Sequence, residues 1–195
     1  MQGDLADGPF TVDDFDAIAD LVLDALGSAL DRDWSVAAGT LEWSCWTTAE
    51  HTVDCVFSYA LFLASRKQDD YPRLGELHAE PGATPADLLD GLRAVSTMLS
   101  SVIRTAPADA RAIIWARDGG QVAGPQHFAA RGAHELLLHA HDLCAGLDVA
   151  FDPPQDLCQR LWEHTEPWGV YGDNDPTGDP WHDLLVRSGR TRPST

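Results

Sequence analysis

Basic residues are scarce in this chain. Lys67 is its only lysine, and Lys and Arg together number 13 against 31 Asp and Glu, a net charge of −18 over 195 residues. Phosphate backbones are held by clustered Lys and Arg, so a nucleic-acid partner is not expected. An anionic membrane surface is not expected for the same reason. The acidity reads as a solvated, self-repelling surface. Long apolar runs are missing too: no stretch approaches the ~20 residues of a membrane span. Met1 to Phe10 are acidic and polar, with no basic start before an apolar segment, so no signal peptide is expected and the cytoplasm is the expected location. Cysteine is sparse: Cys45, Cys55, Cys144 and Cys158 show no CxxC spacing. A chain this long needs no disulfide framework, and four free buried thiols are expected. Internal repeats are absent.

What is present is an ordinary globular share of apolar residues, 44%, enough for one domain with a full core. Thr11 with Asp14 looks like a capping box, and Phe15, Ile18, Val22, Ala25, Leu26 and Ala29 follow at helical spacing. A second helix is predicted from about Ser44–Thr48 to about Arg66, with His51, Cys55, Ser58 and Phe62 on its inward face. Thr84, Pro85 and Asp87 start a third, carrying Leu88, Leu92, Val95, Leu99 and Val102 and closed by Pro107. Arg111–Ala116 is a short apolar run, a strand or an extended crossing, followed by a turn at Asp118, Gly119 and Gly120. The fourth helix is predicted from Gly124 to about Leu143, with Gly146 as its cap. One more helical piece is expected over about 154–164. The reading is all-α: a four-helix bundle at about 11–146 with a C-terminal tail, 147–195, packed on it, in one domain.

The fourth helix carries the chemistry. Glu135 and His139 are four apart and share one face, which Arg131 and Asp142 continue, while Leu136, Leu137 and Leu138 make the helix apolar around them. Four ionisable groups on a buried face are costly unless paired or metal-bound. A Glu/His pair at this spacing can chelate a divalent ion but needs a further ligand, and His51 is the best candidate. Cys55, one turn after His51, could also face such an ion, though a small core residue is the preferred reading. Asp54 and Asp142 each lie three residues after a candidate ligand histidine, placed to orient ligands or bind substrate. Arg131 can hold an anionic substrate group or pair with Glu135.

Two motifs bear a resemblance. Trp43-Ser-Cys-Trp-Thr-Thr-Ala-Glu-His51 resembles the start of the second helix in the DinB-like superfamily, closest to the N-terminal domain family of mycothiol-dependent maleylpyruvate isomerase in its actinobacterial type. Arg131, Glu135, His139 and Asp142 resemble that family's R-x-x-x-E-x-x-x-H-x-x-D pattern. Trp168, Asp179-Pro-Trp181, Leu184-Leu185 and Gly189-Arg190 resemble the tail of many members. The resemblance implies a DinB-like up-and-down bundle, a metal on His51, Glu135 and His139, and Arg131 and Asp142 in catalytic roles. Zinc is the expected ion, with nickel, iron and manganese accommodated by the same ligands. It also implies a mycothiol-like thiol as cosubstrate, a metal-dependent S-transfer or isomerisation of an electrophilic small molecule, and often a homodimer. A metal suits that task because it takes the proton off a bound thiol near neutral pH. The alternatives are a non-catalytic small-molecule-binding protein with a structural metal, which a fourth ligand such as Cys55 would favour, and a metal-dependent hydrolase.

The other residues read more plainly. His134 and His141 point to other faces of the fourth helix, as surface or packing residues. His127 lies near its start, and His78, His164 and His182 sit in loops or the tail. Trp43, Trp46 and Tyr59 are expected in the bundle core, with a pocket wall as the alternative for any of them, and Trp168, Tyr171 and Trp181 are expected to pack the tail over it.

Overall fold

The computed structural model describes residues 8–115, 121–168 and 176–191. The expected turn at Asp118, Gly119 and Gly120, the ring of Tyr171, and the two chain ends lie outside the described residues.

Helices start where the sequence supplies caps. Thr11 and Asp14 close a capping box on α1 (Val12–Gly27), with Asp14 Oδ2 accepting the Thr11 N–H at 2.9 Å. Ser44 caps α2 (Cys45–Ser65) by accepting the Thr47 N–H at 3.1 Å, and the helix stops where Arg66 turns left-handed. Thr84 and Asp87 form a second box, with Pro85 at the first turn of α3 (Pro85–Thr105). The apolar run resolves as β1 (Ala112–Trp115), paired antiparallel with β2 (Gln121–Ala123), Ile113 opposite Val122. Then follow α4 (Pro125–Gly146), α5 (Gln155–Thr165), a 3-10 turn (Glu166–Trp168) and α6 (Pro180–Arg187).

The bundle is formed by α1 to α4. Helices α1 and α2 sit diagonally, each packed between α3 and α4; the hairpin lies on α2, α5 packs on α4, and α6 packs on α5. Phe15, Ile18, Val22 and Leu26 of α1 meet a nearly continuous buried surface on α4 that includes Phe128, Ala133, Leu136, Leu137 and Leu143. Among the described residues no helix is long and apolar enough to cross a membrane.

Two sequence expectations are corrected here. The core face of α2 is Thr48, Ala49, Thr52, Val56, Tyr59 and Leu63; the stripe His51, Cys55, Ser58 and Phe62 is only half-buried beside it. A shift of about 100° around the helix separates the two stripes, and it moves those side chains from the core to a cleft wall. Gly146 is not the cap but the last residue of α4, and Leu147 ends the helix. A Cβ at Gly146 would strike the Ala37 carbonyl and Cys45 Sγ, so glycine there lets the α1–α2 connection lie against α4. Gly146→Ala should therefore lower stability by about 1–3 kcal/mol, read by urea unfolding; an unchanged midpoint would show that residues 37–38 move aside freely.

The tail buries His164, read from sequence as ordinary, against His127, which the helix start had left open to a pocket-mouth role. His164 on α5 and His127 on α4 meet at 4.8 Å between ring centroids, with Trp168 stacked on His127. The Phe10 N–H donates to His164 Nδ1 at 3.3 Å. Burial, helped by His127, pulls the His164 pKa down to about 4. A depressed histidine favours folding above its unfolded pKa of about 6.5 and loses that contribution as pH falls toward 4. His164 should thus take up to about 3 kcal/mol from stability across that window. Urea midpoints at pH 7 and pH 5 test this: the pH slope should flatten in His164→Asn.

Candidate metal centre

The centre lies where α2 faces α4. Spacing of four places Glu135 and His139 on one face of α4, and His51 and Cys55 on one face of α2. Glu135 Oε2 is 3.4 Å from His139 Nε2, and Cys55 Sγ is 3.4 Å from His51 Nε2. The rings of His51 and His139 meet edge to face at 5.2 Å. One ligand atom from each of His51, Cys55 and Glu135 lies within 4.8 Å of the others. Ligands held at ~2.0–2.3 Å by one tetrahedral ion lie roughly 3.3–3.8 Å apart; the Cys55–His51 and Glu135–His139 separations meet that spacing and the donor chemistry suits a zinc-like ion, while the three-residue group is wider and His139 stands outside it. The expected thiol burial is corrected at Cys55: Cys45, Cys144 and Cys158 are buried, but Cys55 is half-buried in this cleft. All four are free.

The surroundings fix the donors. His139 Nδ1 lies 3.2 Å from Asp142 Oδ2, which directs Nε2 toward Glu135 and His51. Asp142 is 2% exposed and is clamped from the tail by Arg190, Nε at 3.0 Å from Oδ1 and Nη2 at 2.6 Å from Oδ2. Glu135 Oε1 accepts from the Tyr59 hydroxyl at 3.0 Å and pairs with Arg131 at 2.9 Å. The Arg131 guanidinium also lies over the rings of Tyr59 and Trp115. Of the two roles read for Arg131, the structure displays the ion pair. Asp54, read as a possible orienter, instead accepts the Leu77 N–H at 2.8 Å, and Glu50 accepts the Ala79 N–H at 2.9 Å, fastening the α2–α3 connection over the cleft.

Charge states follow. Burial pushes the Glu135 carboxyl up, but the His139 hydrogen bond and the Arg131 and His139 charges overcome it and hold it well below the usual carboxylate range. Burial opposes the charge on His139, yet Asp142 and Glu135 outweigh it and raise its pKa. Burial and His139 lower His51, leaving a neutral imidazole, the form that ligates. Burial, then Glu135 and Asp54, push the Cys55 thiol far up. A divalent ion would invert that last preference.

A cavity of about 300 Å³ opens in front of His51, lined by Trp43, Glu50, Asp54, Glu76, Leu77 and His78 among others. Trp43 is 46% exposed and meets the His51 ring at 5.0 Å, so of the two places read for it, core or pocket wall, it takes the wall. Tyr59 is in the core as expected, and Trp46 packs against it half-buried. His134 is buried packing, and His141 faces Trp181 at 5.8 Å, away from the cavity. The tail therefore covers the α4 flank, and reaches the centre through Arg190. Sequence reasoning gave Arg190 no role; its only signal was the Gly189-Arg190 pair in the tail motif.

A solved structure of the mycothiol-dependent maleylpyruvate isomerase, in a variant with one histidine changed to alanine, matches this chain with a TM-score of 0.52. The match covers 77% of this chain and 67% of that one at 12% identity. The fold is DinB-like. Neither a family model nor a curated protein matches the chain. At this identity the likeness is one of fold, and function must be argued from the site.

Proposed function

We propose that this protein is a metal-dependent enzyme that activates a low-molecular-weight, mycothiol-like thiol for S-transfer to, or isomerisation of, an electrophilic small molecule. The observation that carries the reading is the approach of His51, Glu135 and His139 where α2 faces α4: Glu135 shares one 4.8 Å group with His51 and Cys55 and lies 3.4 Å from His139, His51 opens onto the cavity, and Asp142 stands behind His139. A divalent ion on those three ligands would supply a Lewis acid that lowers the pKa of a bound thiol. His51 offers its neutral imidazole from α2. Glu135 supplies the negative charge, kept ionised by Arg131 and Tyr59. Asp142 holds His139 in the tautomer whose Nε2 faces the centre. Arg131 and Asp142 act here by positioning these donors, since both are already paired. The fold neighbour is named for a mycothiol-dependent isomerisation, which supports the thiol and the reaction class.

The cavity lining bears on the electrophile. Glu50, Asp54 and Glu76 face it, which disfavours anionic substrates. Screening therefore starts with uncharged and cationic electrophiles. A second reading, a structural metal in a small-molecule-binding protein, is favoured by one observation, the nearness of Cys55 as a closing ligand.

The test is bound metal. Wild type purified without a His-tag or chelator should carry about one equivalent, as one closed set of ligands requires, by elemental mass spectrometry. His51→Ala should carry almost none. A wild type that takes up no zinc, nickel or iron on reconstitution would leave the constellation as a hydrogen-bonded polar cluster and sink the enzyme reading.

A further inference from the structure

We infer that Cys55 is a fourth ligand of the centre, occupying at rest the position that an incoming thiol takes. The inference rests on the metal reading above and goes beyond it. Its ground is placement. Cys55 is one turn from His51 on α2, its Sγ is 3.4 Å from His51 Nε2, and Sγ, a His51 nitrogen and a Glu135 oxygen share a 4.8 Å envelope. The remaining cysteines behave differently: Cys45 Sγ faces the Ala37 and Leu143 carbonyls at 3.9 and 3.8 Å, and Cys144 and Cys158 are core residues. Among the described residues, only Cys55 joins a group of candidate metal donors.

With His139, which lies 3.4 Å from Glu135 but outside that group, drawn in, the donors would be two imidazoles, one carboxylate and one thiolate, a closed tetrahedral complement. A soft sulfur in that set selects zinc over manganese or magnesium. The cap also explains how a closed site can still accept a thiol. An external R–SH enters by exchange: its proton passes to the Cys55 sulfur, R–S takes the place of Cys–S, and no electrons change hands. Cys55 is half-buried, so the displaced thiol has a freedom that a fully buried core cysteine would not have.

Cobalt(II) reports the sulfur directly. Wild type, Cys55→Ser and Cys55→Ala are loaded with Co²⁺, and their metal content and near-ultraviolet absorption are measured. The expected result is a sulfur-to-cobalt charge-transfer band in wild type, lost in both variants while cobalt stays bound. Adding 2-mercaptoethanol to cobalt-loaded Cys55→Ser should restore the band. Cobalt bound to wild type without that band overturns the ligand assignment and leaves the three-ligand centre standing. A band that persists in the variants also overturns the ligand assignment, and a band lost in Cys55→Ser but not restored by the added thiol overturns the exchange. Wild type that takes up no cobalt strikes the metal reading itself.

Discussion

Glu135→Ala should destabilise the metal-free protein by about 3–5 kcal/mol and remove tight metal binding. The carboxylate is a counter-charge for Arg131, whose side chain is 16% exposed against 13% for Glu135. Removing it takes a carboxylate partner from a guanidinium largely shielded from water, and the loss of such a shielded pair greatly exceeds what an exposed pair contributes. Tyr59 loses the acceptor of its hydroxyl at the same time. For a chain of this length such a loss lowers the melting temperature by roughly 10 °C. Glu135→Gln separates the effects, because it keeps an acceptor for Tyr59 while removing the charge. Melting curves with and without zinc make the comparison. An alanine variant that melts with wild type would show that water already screens Arg131, and one that still binds zinc tightly would remove Glu135 from the ligands.

Arg190→Met should weaken metal binding about 10- to 100-fold, the usual effect of losing a group that orients a ligand. The arginine grips both oxygens of Asp142, and Asp142 holds His139. Without the clamp, a carboxylate 2% exposed has only His139 as its charged partner, and the fold should also lose about 3 kcal/mol. Arg190→Lys should rescue little, since an ammonium cannot reproduce the two-pronged grip. Competition against a chelating dye gives the affinity, and urea unfolding gives the stability. Wild-type affinity in Arg190→Met would show that the Asp142–His139 bond holds without help from the tail.

What could be read from sequence was mostly local. The capping residues Thr11 and Thr84 act within a few positions of themselves, so those two helix starts were legible, while the start of α2 was read only as a range that includes its cap, Ser44. Glu135 and His139 share a helix face by spacing alone. His51 joined them through the resemblance of the Trp43-to-His51 stretch, because nothing in local spacing says which face of α2 meets α4. That same gap misplaced Cys55: half-buried and fully buried stripes on α2 differ by one position of rotation. Arg190 meets Asp142 across 48 residues and a tail whose path no periodicity encodes. The His127–His164 pair joins two helices whose packing is set by tertiary contact.

The α2–α3 connection is fastened to α2 by the amide groups of Leu77 and Ala79, not by their side chains. Every amino acid except proline supplies such a donor. Mutation along this segment can therefore change the polarity and size of the cavity mouth while the attachment to Asp54 and Glu50 persists. Lineages descended from a common ancestor could diverge in what they admit without altering how the rim is hung, and an engineer randomising residues 74–80 would inherit the same freedom.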